Sequence, residues 1–120
     1  MQKWFPQIKK ALGIAGIQSV ASSFFKKGTK QDKGTQIDLL LDRNDQVINL
    51  FEIKFSNQLF SISKAYFENL SNKVNIFKTT TKTRKQLFLV FITTFGLTEN
   101  QYSSGIVSRS LILEDLFKEV

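Results

Sequence analysis

The sequence predicts a single α/β domain built on a mixed sheet flanked by helices, and three features lead there. Residues 35–42 (TQIDLLLD) and 47–55 (VINLFEIKF) are strand-forming apolar runs joined by the polar turn RNDQ, the pattern of a hairpin. After Ser56 the apolar residues change to helical spacing, with Tyr66, Phe67, Leu70, Val74 and Phe77 along one face. The most apolar segment, residues 86–94 (QLFLVFITT), then reads as a buried strand. A hairpin followed by a strand–helix–strand crossover puts antiparallel and parallel neighbours into one sheet. A chain of 120 residues holds one core of this kind and not two.

The other elements follow in order. Pro6 suits the first turn of a helix over residues 7–12, which Gly13 and Gly16 end. Residues 17–25 alternate loosely, with Ile17, Ala21 and Phe25 among serines, and predict a half-exposed strand. KKGTKQDKG (26–34) is a polar turn bounded by glycines. Beyond the helix at 63–79, TTTKTRK (79–85) is a polar connector, and Gly96 closes the buried strand. ENQYSSG (99–105) is expected to be a loop, residues 106–113 a last strand and residues 113–120 a short helix. Phe24, Phe25, Phe51, Phe55, Phe60, Phe67, Phe77, Phe88, Phe91 and Phe95 are assigned to packing. Tyr102, in the polar loop, is the aromatic left outside the core, and Trp4, Phe5 and Tyr66 are more readily core than base-stacking groups.

Composition excludes whole classes of chemistry. The chain has no His and no Cys, so neither Ser-His-Asp nor Cys-His machinery can be built from it. The usual zinc sites are excluded too, and any metal must be held by oxygen ligands, which suits Mg²⁺, Mn²⁺ or Ca²⁺. No apolar run is long enough to span a bilayer. The first residues carry lysines but no apolar stretch ending in a cleavage site, so a cytoplasmic location is expected. The net charge is +7 and uneven. Residues 1–31 hold six lysines and no acid, whereas Asp38, Asp42, Asp45 and Glu52 crowd one short window. A basic surface around a local acidic spot favours a polyanionic partner.

Three charged residues interrupt the two hairpin strands. Glu52 and Lys54 are two positions apart in VINLFEIKF and share a face, flanking Ile53. Charges inside an apolar strand are costly unless something compensates them. Asp38 interrupts QIDLLL in the neighbouring strand, and pairing about RNDQ brings it opposite residue 51 or 52. Two converging carboxylates call for a cation between them, and Lys54 beside them could orient water or stabilise charge on a phosphate.

The run GTQIDLLLDRNDQVINLFEIKFS (34–56) resembles the core motif of the PD-(D/E)XK nuclease superfamily. PQIKKALGIAGI, TKTRKQLFLVFITTFGL and LILEDLF are similar to the C-terminal domain of bacterial AAA-type ATP-binding proteins. The resemblance implies a restriction-endonuclease-like core (αβββαβ) over residues 1–120, a C-terminal fragment of a larger ATPase. It implies Mg²⁺- or Mn²⁺-dependent hydrolysis of DNA phosphodiester bonds, with Asp38 and Glu52 as metal ligands and Lys54 as the catalytic lysine. Gln36 would support the site from the same face as Asp38, and Gln7 is the nearest polar candidate on the first helix, which carries no acid. The second reading is an inactive nuclease-fold module that binds DNA or a protein partner, and the third a structural domain that positions the ATPase. Lys82, Arg84 and Lys85 of TKTRK are the candidate phosphate contacts, against the alternative of a solvated loop. A homodimer that cuts both strands is compatible with this family.

Overall fold

A computed structural model describes residues 4–117. Helix α1 (Phe5–Ala11) leads into β1 (Ser19–Lys26), β2 (Thr35–Arg43) and β3 (Val47–Lys54). Helix α2 (Lys64–Thr81), β4 (Gln86–Thr93), α3 (Gln101–Ile106), β5 (Val107–Ile112) and a 3₁₀ helix (Leu113–Phe117) complete the chain. Strands run in spatial order β1-β2-β3-β4-β5, with β1–β2 and β2–β3 antiparallel and β3–β4 and β4–β5 parallel. The mixed sheet expected from the hairpin and crossover is therefore present.

Each face of the sheet carries its own core. Ile8 and Ile14 pack on Leu39, Leu41, Phe51, Val90, Ile92, Leu111 and Leu116, so α1 and the 3₁₀ helix cover one side. Leu70 and Phe77 of α2 pack on Ile37, Leu40, Ile48, Leu50, Leu89 and Phe91 on the other, where α3 adds Tyr102 and Ile106. Burial on both faces explains why β4 reads as a continuous apolar run, because a parallel strand between two helical layers meets protein on either side.

Local chemistry sets the boundaries. The β2–β3 turn closes with Gln46 at positive φ, and Arg43 donates to Asp45 (2.9 Å) and to Asn49 (3.1 Å). Ser63 caps α2 by accepting from the Tyr66 amide (3.2 Å), and Lys82 ends it in the left-handed conformation. Sequence reasoning leaves 99–105 as a loop, but α3 begins there. Asn100 accepts from the amides of Tyr102 and Ser103, and the Ser103 hydroxyl accepts from the Asn100 amide. The serines and glycine that suggest a loop are outweighed by this cap and by Tyr102, which packs on Phe67 at 5.4 Å. Tyr102 therefore belongs to the core periphery. Phe25, by contrast, is 71% exposed on the outermost strand, and Phe55, Phe88 and Phe95 also face solvent. These four were expected to pack. Phe25 lies on the edge strand β1, Phe55 and Phe95 lie just past strand ends, and Phe55 keeps an edge-on contact with the Trp4 ring at 6.3 Å between centroids. The last expected helix is a 3₁₀ helix over Leu113–Phe117, and residues 118–120 lie outside the described residues.

Candidate functional site

The charged interruptions sit where β3 ends. Four strands run one way and β2 alone runs against them, so the carboxyl end of β3 lies beside the amino end of β2. The β2–β3 ladder runs from Asp42↔Ile48 to Leu39↔Phe51, the register foreseen from the turn, and stops one rung short of Asp38 and Glu52. A bulge intervenes. Ser22 faces Leu40 whereas Phe24 faces Ile37, so Asp38 and Leu39 together stand opposite Ser23.

That bulge separates the two carboxylates. Ile37 is in the α2-side core and Leu39 in the α1-side core, so alternation breaks between them. Asp38 accepts a hydrogen bond from Gln36 Nε2 at 2.8 Å, and these two exposed side chains share the side of β2 opposite Ile37. Glu52 instead faces α2, where Lys73 donates to its Oε1 at 2.9 Å. This ion pair is largely sheltered, with the side chains of Lys73 and Glu52 20% and 13% exposed. Lys54, on the same face as Glu52, holds its ammonium 5.3 Å from the centre of the Tyr66 ring. The Tyr66 hydroxyl is buried near the Glu52 carboxylate but outside good hydrogen-bond geometry to it, and burial first, then the nearness of Glu52, push its pKa well above the usual phenol value.

The structure thus brings Glu52, Lys54, Tyr66 and Lys73 together and keeps Gln36–Asp38 apart from them. Gln7 is elsewhere. It lines a cavity with Lys10, Arg109 and Asp115 beside β5, and its buried Oε1 has no hydrogen-bond partner. Three strand spacings, about 14 Å, separate β5 from β2, so Gln7 does not support Asp38. Lys85 is also withdrawn from the role expected of it. Its ammonium donates to Asp42 (2.6 Å) and to the Arg43 carbonyl (2.8 Å), tying the strand connector to the β2–β3 turn. Lys82 and Arg84 remain exposed there.

Sequence reasoning missed Lys73, although a signal was available. Positions 70, 73, 74 and 77 form one helical stripe, and Lys73 is the charge among Leu70, Val74 and Phe77. A charge on the buried stripe of the crossover helix answers a charge in the strand beneath it.

A divalent cation would need several oxygen ligands at one point. Glu52 is already neutralised by an ammonium, Asp38 lies on the other side of β2, and no group of three or more acidic side chains is placed to hold a metal ion among the described residues. The donor set in this arrangement does not fit Mg²⁺ or Mn²⁺.

The class defined by these elements is an α/β fold with a five-stranded mixed sheet between helical layers. A crystal structure described as a protein of unknown function, AF1548, is similar, with a TM-score of 0.59 at 14% identity over 94% of this chain. The chain spans 64% of that structure's length, and the likeness is one of fold. No family model matches the sequence. No curated protein matches it either. No helix among the described residues is long and apolar enough to cross a membrane.

Proposed function

We propose that this chain is a nuclease-fold module that binds the phosphate backbone of nucleic acid, DNA in the first instance, without cutting it in the arrangement described. The observation that carries this reading is the charge left over by folding. The net charge is +7, and among the described residues only Arg43, Lys73 and Lys85 of the basic side chains form ion pairs. Unneutralised lysines favour a polyanion through counterion release. The restriction-endonuclease-like core is supported by the α-β-β-β-α-β order from α1 to β4. The resemblance to the C-terminal domain of AAA-type ATP-binding proteins supports an accessory role beside an N-terminal ATPase domain.

The test is fluorescence anisotropy with labelled single-stranded and duplex DNA over a salt series. The expected result is binding that weakens steeply as salt rises; no binding at low salt would overturn the reading.

One observation favours a second reading, the metal-dependent nuclease. Glu52 and Lys54 stand at the carboxyl end of β3, where ligand sites gather in open α/β sheets. Incubating plasmid and single-stranded DNA with Mn²⁺ or EDTA separates the two. Metal-dependent cleavage lost in both Glu52→Ala and Lys54→Ala would establish the nuclease and displace the binding-only reading.

A further inference from the structure

We infer that the nucleic-acid track runs in the trough between the β1–β2 connection and α2, and not over the TKTRK connector. This rests on the proposed nucleic-acid reading and adds where the strand lies. Two clefts of about 500 Å³ and 480 Å³ lie along this seam. Asp32, Lys33, Asn72 and Ile76 line both, which makes them one trough. Lys73 lines it too, so the trough leads to the Glu52–Lys73 pair at the end of β3.

The wall supplied by α2 is unusual for a helix. Asn69, Asn72 and Asn75 recur every third residue along it and are exposed. Asparagine is a poor helix former, roughly 0.6 kcal/mol worse than alanine at each position. None of the three side chains makes a hydrogen bond within the described residues, so their amides neither cap the helix nor tie it to a neighbour. Amides at this spacing offer donors and acceptors along a sugar–phosphate backbone. Lys26 and Lys33 add charge on the opposite wall, and neither is ion-paired among the described residues. Asp32 and Glu68 are the acids in the trough's lining and balance Lys26 and Lys33, so the positive surplus comes from exposed Lys27 and Lys30 of the β1–β2 connection and Lys64 and Lys78 of α2. Asp32 stands in the turn that its backbone closes with Thr29, whose hydroxyl accepts from the Asp32 amide at 2.9 Å.

The opposite end of the domain is less suited. Lys85 is occupied by Asp42, so two exposed cations, Lys82 and Arg84, remain there without a row of amides beside them such as α2 gives the trough.

Two double variants with the same net charge decide between the surfaces: Lys26→Glu with Lys33→Glu in the trough, and Lys82→Glu with Arg84→Glu on the connector. Anisotropy with a short fluorescein-labelled single-stranded DNA is read at fixed salt, and circular dichroism melting checks that both fold. The trough pair is expected to weaken binding roughly tenfold or more, and the connector pair by less than about threefold. Asn72→Asp alone, which leaves the strands untouched, is expected to weaken it by several-fold. Equal losses in the two pairs, or a larger loss in the connector pair, would overturn the trough while leaving nucleic-acid binding standing. Failure of the unaltered protein to bind would remove both.

Discussion

At the scale of the residue, the ends of two side chains decide what the site is. Lys73 occupies the space beside Glu52 that a cation would need, and the pair is sheltered enough that removing one partner leaves a poorly solvated charge. Lys73→Met should lower stability in urea unfolding by about 1–3 kcal/mol. Combining it with Glu52→Gln should recover most of that loss, and a double-mutant cycle measures the coupling. Tyr66 behaves differently, because its hydroxyl is buried without a partner. Tyr66→Phe should be neutral or stabilising by about 1 kcal/mol at neutral pH. The sign of its pH dependence follows from the raised phenol pKa. The folded state keeps the proton where the unfolded chain has begun to lose it, so stability falls as pH rises past the unfolded value of about 10. Denaturant midpoints compared at neutral and alkaline pH should show this loss in the native protein and not in Tyr66→Phe.

At the scale of the element, the β1–β2 connection and the β2 bulge shape both the site and the trough. Gly34 lets the two ends of the connection come together, since a Cβ there would overlap the Lys26 carbonyl oxygen and the Gly28 amide nitrogen. Gly34→Ala should cost about 2–3 kcal/mol, read by urea unfolding, because the atoms in its way are backbone and cannot swing aside. It should also weaken DNA binding, since Thr29, Asp32 and Lys33 line the trough. The strands and α2 were legible because their periods are sustained over many residues. The bulge was not, because an extra residue leaves no mark in an apolar run such as QIDLLL. Helix α3 was hidden for another reason: its stability comes from a capping box and an aromatic contact, not from helix-forming residues.

At the scale of the molecule, the sheet separates two cores, and their contents determine how far damage spreads. Phe91 is fully buried in interior strand β4, directly beside Glu52 in the sheet, and its ring meets those of Phe60 and Tyr66. Phe91→Ala should destabilise by about 3–5 kcal/mol, seen as a large fall in melting temperature. It should loosen Tyr66 as well, so it belongs with the stability variants and not with tests of the site.

The sequence by itself determined the α/β class, the hairpin, the crossover and the three charges on adjacent strands, because periodicity and out-of-place charge are local properties of a chain. Tertiary structure alone decided which of those charges meet. One inserted residue in β2 left Asp38 on the side of Gln36, and the path of α2 across the sheet delivered Lys73 to Glu52. Pairing depends on which faces the layers cover and on where the strand slips, and neither is written in spacing along the chain.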